Sequence, residues 1–171
     1  ETAISLSENS LIDGEYTDAV TENKFTVENG KITGEIGESG IAVLYLSEDI
    51  SIFNLRVGGE QVTSRNLVID ENDNSDITSG SATYDTHSNT LTLNNFNYSG
   101  DEDTNNVICY TSSDDLKLVI EGTNSIICTN DRLLVVDVLS NMEISGNGSL
   151  SITGGDYGMN VMGSMTVTSG S

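Results

Sequence analysis

The stretch Leu116-Lys-Leu-Val-Ile-Glu-Gly-Thr-Asn-Ser-Ile-Ile-Cys128 decides the fold class of this chain. Apolar side chains alternate with other residues from Leu116 to Ile120, which is the period of a β-strand with one buried face. Gly122 interrupts the pattern, and a second apolar run follows. Short runs of this kind, bounded by Gly, Asn, Asp and Ser, occur along the whole chain, while long patterns of helical period are absent. The sequence therefore predicts an all-β protein.

The runs recur at a nearly constant interval in the C-terminal half of the chain. Four of them begin at Leu91, Leu116, Met142 and Met165. A single unit of about 24 residues with three short strands cannot bury its own apolar face, so such units stack as a solenoid. We therefore expect a parallel β-helix, with regular coils over 91–171. The same interval stacks Gly122 on Gly146, Ile126 on Leu150 and Cys128 on Ile152.

The N-terminal third shows a related pattern. Residues 23–52, shifted by 66, match 89–118 without a gap and with six identities in 30. This match predicts that 1–56 forms the first β coils and that 1–171 is a single β-helix-type domain. The alternative is a separate small β domain over 1–56.

The segment 57–90 differs from the repeats and predicts an insertion of hairpins and a loop. Val57-Gly-Gly-Glu-Gln-Val-Thr63 has the pattern of a strand, a Gly-Gly turn and a strand. Residues 83–93 predict a hairpin that turns over 85–89, and the polar stretch 70–76 predicts a loop. Residues 165–171 begin a further coil, so we expect truncation in mid-coil, with edge pairing to another chain as an alternative.

The charge restricts the classes of partner. The chain has 27 Asp and Glu residues against 6 Lys and Arg residues, which gives a net charge of −21. A surface this acidic repels nucleic acid and anionic lipid. The sequence contains no run of about 18 apolar residues, so it predicts no membrane insertion. Since Glu1 does not begin a signal peptide, we expect any export signal to have been removed.

The two cysteines, Cys109 and Cys128, lie in apolar strand-like runs. Their surroundings predict buried thiols rather than a disulfide, and their spacing matches no metal or redox motif.

Four strings together resemble a family of secreted, carbohydrate-binding domain-containing proteins of Gram-positive anaerobes. They are residues 57–64, 82–95, 116–126 and 144–155, and the resemblance covers roughly 55–171. One branch of the family is similar to a calcium-containing β-helical protein that binds cellulose and pectin-like polysaccharide. The resemblance implies a right-handed parallel β-helix, a secreted or cell-surface location, and glycan binding.

Acidic residues at two places predict calcium sites, because Ca²⁺ takes six to eight hard oxygen ligands. The first set flanks the predicted strand 106–110 and consists of Asp101, Asp103, Asp114 and Asp115. The second set has the odd-position spacing of an EF-hand loop and consists of Asp70, Asn72, Asn74 and Asp76, although Ser75 replaces the turn glycine and Ser81 the closing glutamate. The alternative for both sets is a solvated polar loop.

Aromatic side chains supply candidate sugar-stacking platforms. Tyr98 and Tyr110 lie near the acidic corner and are the candidate glycan-binding residues, with a core position as the alternative for each.

The sequence favours a non-catalytic protein. His87 is the only histidine, and no serine or cysteine can be paired with it as a nucleophile. A β-helical lyase or hydrolase, the third interpretation, would need a basic proton acceptor, and Lys117 and Arg132 lie in no suitable cluster. We therefore predict an extracellular polysaccharide-binding surface protein, assisted by Ca²⁺. The alternative is a structural or adhesive β-helical rod that contacts surface proteins or cells.

Overall fold

The computed structural model describes residues 2–5, 11, 13–28, 31–38, 40–46, 50–100, 106–129 and 134–169. The chain forms two compact units, Glu1–Ile50 and Ser51–Ser171. All regular elements of the described residues are β-strands, which confirms the all-β class. This part of the chain contains no helix long and apolar enough to cross a membrane.

The first unit is an antiparallel sheet. Its strands are β1 (Thr2–Ser5), β2 (Gly14–Asp18), β3 (Lys24–Glu28), β4 (Lys31–Gly34) and β5 (Leu44–Leu46). They run in the order β1-β4-β3-β2-β5, and every neighbouring pair is antiparallel. The small core of this sheet consists of Tyr16, Phe25, Val27 and Ile32.

A buried carboxylate holds this sheet together at the end of β2. Asp18 is fully buried, and its oxygens accept hydrogen bonds from the Val43 amide at 2.8 Å and the Thr21 hydroxyl at 2.5 Å. The amides of Val20 and Thr21 donate to it as well, each at 3.2 Å. The Thr21 hydroxyl and the Val43 amide together lower the pKa of Asp18, so the group is ionised at neutral pH.

The second unit contains two sheets that enclose a larger core. Alternation along the strands buries one set of side chains, as in the buried, exposed, buried pattern from Leu116 to Ile120. The strands are β6 (Ile52–Val57), β7 (Glu60–Thr63), β8 (Val68–Asp70), β9 (Ile77–Asp85), β10 (Thr90–Gly100), β11 (Ile108–Tyr110), β12 (Leu116–Glu121), β13 (Thr123–Cys128), β14 (Leu134–Val138), β15 (Met142–Gly146), β16 (Ser149–Thr153), β17 (Tyr157–Val161) and β18 (Met165–Val167).

The strand directions show that the expected parallel β-helix is wrong. One sheet runs β16-β13-β10-β12-β15-β18 in parallel pairs, but β9 pairs antiparallel with both β10 and β8. The other runs β17-β14-β11-β6-β7 and changes from parallel to antiparallel at β11. Residues 23–52, expected to repeat 89–118 as coils, include the antiparallel strands β3, β4 and β5 instead. The chain is therefore built from mixed and antiparallel sheets.

The register of the parallel strands is also partly different from the expected one. Leu116 pairs with Met142, and Met142 with Met165, as the recurring runs predict. However, the partner of Ile126 is Ile152, which lies two positions beyond the expected partner Leu150. A shift of two positions keeps each side chain on the same face of its sheet, so Cys128 is buried as predicted although the expected partners differ.

A sharp bend separates β12 from β13, and the long strand β10 bends beside it. Gly122 has a φ of 68°, and a Cβ there would lie under 3.0 Å from the Asn95 side-chain oxygen, so the position requires glycine. The buried amide of Asn124 accepts a hydrogen bond from the Phe96 N–H at 2.8 Å. It also donates to the carbonyls of Glu121 at 3.0 Å and Ser149 at 3.1 Å. The Asn124 side chain on β13 therefore forms hydrogen bonds with both neighbouring strands, β10 and β16, and with the end of β12.

Both expected hairpins are present. β6 and β7 pair antiparallel across Gly58 and Gly59, and β9 and β10 pair antiparallel with Asp85 opposite Thr90. Cys109 and Cys128 are thiols and not a disulfide, as predicted, with Cys128 buried and Cys109 half-buried. Burial is the main cause that raises the pKa of the Cys109 thiol.

Candidate functional site

A cleft of about 440 Å³ lies in the second unit, beside the turn between β9 and β10. It is formed by three segments that are distant in sequence: the start of β6, the end of β9 with the following turn, and the end of β11 with the following loop. Its lining residues are Ile52, Phe53, Asn54, Tyr84, Thr86, His87, Asn89, Tyr110, Ser112, Asp114 and Asp115.

The turn between β9 and β10 is held by a single carboxylate. Asp85 accepts hydrogen bonds from the Ser88 hydroxyl at 2.5 Å and from the His87 amide at 2.9 Å. The Ser88 hydroxyl is the main cause that lowers the pKa of Asp85, followed by the His87 amide. The ionised side chain thus closes the turn and leaves the exposed side chains of Thr86 and His87 at the cleft.

The inner wall of the cleft is a hydrogen-bonded network around Asn89. The Tyr84 hydroxyl donates to the Asn89 side-chain oxygen, and the Asn89 amide group donates to the Tyr110 hydroxyl and to the Asp115 carbonyl, both at 2.5 Å. Burial, with contributions from Tyr110 and Asp114, raises the pKa of Tyr84 to about 12. Tyr84 is therefore a neutral hydrogen-bond donor at physiological pH.

An aromatic side chain adds an apolar surface to this wall. The rings of Phe53 and Tyr84 pack edge to face, with centroids 5.6 Å apart and an interplanar angle of 61°. Tyr84 is buried, whereas Phe53 is only partly buried and lines the cleft.

The loop between β11 and β12 supplies carboxylates at the outer side of the cleft. Asp114 and Asp115 are both exposed. The Asp114 carboxylate accepts a long hydrogen bond of 3.4 Å from the Ser112 hydroxyl, and Asp115 accepts one of 2.9 Å from the Asn141 amide group. The carboxylate of Asp114 therefore has most of its hydrogen-bonding capacity available to a ligand.

The structure describes only part of the first set of residues that the sequence predicted for calcium. Asp101 and Asp103 lie outside the described residues, while Asp114 and Asp115 lie at the cleft. Within the described ranges no group of three or more His, Cys, Asp or Glu side chains is placed to hold a metal ion.

The second predicted calcium loop, between β8 and β9, uses its oxygens for its own turns. Asp70 accepts from the amide of Asn72 at 2.8 Å, and Asn74 accepts from the amide of Asp76 at 2.7 Å. The Asp70 amide donates to the Asp73 carboxylate at 3.0 Å. These are the turns that Asp and Asn side chains form with nearby backbone groups.

The two tyrosines predicted to stack on sugars are core residues. Tyr98 and Tyr110 are each 1% exposed, so neither ring presents a face to solvent. Tyr110 reaches the cleft through the hydroxyl that accepts from Asn89. Of the predicted site residues, the cleft thus brings together Asp114, Asp115 and Tyr110.

Sequence reasoning missed Phe53, Asn54, Thr86 and Asn89 as cleft residues. One signal for Asn89 was present in the sequence, since a short polar residue lies one or two positions before the start of each of the four recurring runs. These residues are Asn89, Asp115, Asn141 and Ser164. In the structure they form a hydrogen-bonded column, which Asn141 extends by accepting from the Ser164 amide at 2.8 Å.

The chain matches no family model, no curated protein and no solved structure. The resemblance to secreted carbohydrate-binding proteins therefore stays a prediction.

Proposed function

We propose that this protein is an extracellular, non-catalytic polysaccharide-binding protein and that the cleft beside the β9–β10 turn binds the sugar. The observation that carries the proposal is the composition of the cleft wall. One partly buried aromatic ring, Phe53, lies among hydroxyl, amide, imidazole and carboxylate groups. Sugars present apolar C–H faces and hydroxyl groups that both donate and accept, so they are ligands of matching chemistry.

The available polar groups support this proposal. Asn54, Thr86, His87 and Asp114 are exposed at the cleft, and Tyr84 behind them donates to Asn89 and holds that side chain in place. The net charge of −21 disfavours nucleic acid and phosphate ligands, whereas an uncharged polysaccharide meets no such repulsion.

A glycan array followed by calorimetric titration tests the proposal. We expect Asp114→Ala to weaken binding of the best array ligand by about ten-fold or more, because a hydrogen bond to a charged group contributes about 1.5–3 kcal/mol. Asp156→Ala removes the same charge from an exposed position outside the cleft lining and is the matched control. A silent array, or equal weakening by both variants, would contradict the proposal, and a silent array would favour the adhesive alternative.

Two arms of the same experiment test the remaining parts. Titration with added Ca²⁺ and with EDTA shows whether calcium assists binding, as the sequence predicts. Prolonged incubation with the bound polysaccharide should release no new reducing or unsaturated chain ends. Chain cleavage that Asp114→Ala abolishes would show an enzyme instead.

A further inference from the structure

A second depression adjoins the cleft on the outer face of β12, β15 and β18. It has a volume of about 450 Å³ and shares Asp115 with the cleft. We refer to it as the groove. Its lining residues are Asp115, Leu116, Lys117, Asn141, Met142, Glu143, Ser164, Thr166 and Thr168.

The floor of the groove is a row of outward-facing polar side chains that crosses the strands. Lys117 on β12 pairs with Glu143 on β15, and Glu143 pairs with Thr166 on β18. Thr90 on β10 pairs with Lys117 and extends the row by one strand. Neighbouring strands lie about 4.8 Å apart, so this row of four side chains is about 14 Å long. Such a row can contact successive units of a linear chain.

The polar column connects the groove to the cleft. Asn89 belongs to the cleft, Asn141 to the groove, and Asp115 to both. Asn89 donates to the Asp115 carbonyl, and Asn141 donates to the Asp115 carboxylate. Because Asp115 belongs to both linings and is hydrogen-bonded on both sides, the two depressions are continuous at this residue.

We propose that the ligand is a linear, uncharged polysaccharide and that one chain occupies the cleft and the groove together. This inference rests on the proposed function and adds a second subsite to it. Exposed carboxylates line both depressions, namely Asp114 and Asp115 in the cleft and Glu143 in the groove. Lys117 is the only Lys or Arg side chain of the two linings. A polyuronate therefore meets net repulsion along the whole path, whereas an uncharged chain does not.

Titration with oligosaccharides of increasing length tests the second subsite. The probes are uncharged glucose, mannose and xylose oligosaccharides from the disaccharide to the hexasaccharide, with galacturonic acid oligosaccharides of the same lengths. We expect affinity for the uncharged series that binds to rise by about ten-fold or more between the shortest and longest members, as further hydrogen bonds form in the groove. The galacturonic acid series should bind weakly at every length.

Two variants separate the subsites. Glu143→Ala should weaken binding of the hexasaccharide and leave the disaccharide unchanged, while Asp114→Ala should weaken both. Glu121→Ala removes an exposed carboxylate from β12 outside the groove lining and should change neither. If Glu143→Ala acted only by disturbing the fold, it would weaken the binding of oligosaccharides of every length alike. The length dependence therefore distinguishes a subsite from a structural effect.

The outcomes separate this inference from the function on which it rests. If an uncharged glycan binds and responds to Asp114→Ala but not to chain length or Glu143→Ala, the second subsite is wrong and the proposed function stands. Preferred binding of the galacturonic acid series overturns the charge argument. If no glycan of the panel or the array binds, the proposed function and this inference fail together.

Discussion

Replacing Asn124 by alanine should strongly destabilise the second unit. The Asn124 amide is 1% exposed and bonds to backbone groups of three different segments, at Phe96, Glu121 and Ser149. Because alanine ends at Cβ, the variant can form none of these bonds. The substitution thus removes a complete set of polar contacts at the bend between β12 and β13.

The magnitude follows from those contacts. Three hydrogen bonds at a net value of about 1 kcal/mol each contribute about 3 kcal/mol, and the Phe96 N–H loses its acceptor, which adds roughly 1 kcal/mol. We therefore expect Asn124→Ala to lower the free energy of unfolding of the second unit by about 4 kcal/mol. For a unit of about 120 residues, this corresponds to a fall in Tm of roughly 15 °C.

Urea denaturation and differential scanning calorimetry of the full chain measure this change. Asn94→Ala is the matched control, because Asn94 is an exposed asparagine on β10 just before the bend. We expect the control to change stability by less than about 0.5 kcal/mol. If the two variants differ by less than about 1 kcal/mol, the assigned role of the Asn124 hydrogen bonds is wrong.

Two further predictions concern a carboxylate and a glycine. The pKa of Asp18 is lowered from 3.8, chiefly by the Thr21 hydroxyl and then by the Val43 amide, so its stabilising effect is complete above pH 3.8 and is lost as the pH falls through the folded-state pKa. Hydrogen exchange should therefore show that the Val43 amide is better protected in the wild type than in Asp18→Asn, and that this difference in protection shrinks below pH 3.8. A difference that stays the same as the pH falls would refute the prediction. Gly80 has a φ of 75°, and a Cβ there would lie under 3.0 Å from the Asn95 carbonyl oxygen. Gly80→Ala should therefore lower the free energy of unfolding, measured by urea denaturation, by about 2 kcal/mol or more. The neighbouring Ser81→Ala is the control. If Gly80→Ala has an effect as small as that of Ser81→Ala, the backbone relaxes freely at this position and the prediction is wrong.

Local sequence patterns predicted the parts of the structure that depend on local chemistry. The turn at Gly58 and Gly59 and the hairpin over 85–89 are set by residues that favour tight turns, and both are present. The buried positions of β12 follow from alternation alone. The polar stretch from Asp70 to Asp76 forms the predicted loop, in which Asp and Asn side chains accept hydrogen bonds from nearby backbone amides, and calcium binding there stays a prediction.

The cleft could not be predicted in the same way, because its residues meet only through long-range pairing. Phe53 lies on β6 and Tyr84 on β9, and nothing in either local sequence indicates that the two rings touch. The exposure of an aromatic ring has the same origin. The alternation of residues 108–110 indicates a strand, and it places Tyr110 on one face of that strand. Whether that face is buried or exposed depends on the strands that pack against it.

By itself, the sequence determined that the chain is all-β, acidic, and built from short alternating strands with turns at defined glycine, asparagine and aspartate positions. Only the tertiary structure decided the strand directions, the pairing of Ile126 on β13 with Ile152 on β16, and the meeting of three distant segments at the cleft. The physical reason is that alternation with a period of two is the same in parallel and antiparallel strands, and a shift of two positions leaves it unchanged. Direction and register are therefore set by packing and hydrogen bonding between segments that are far apart in the chain.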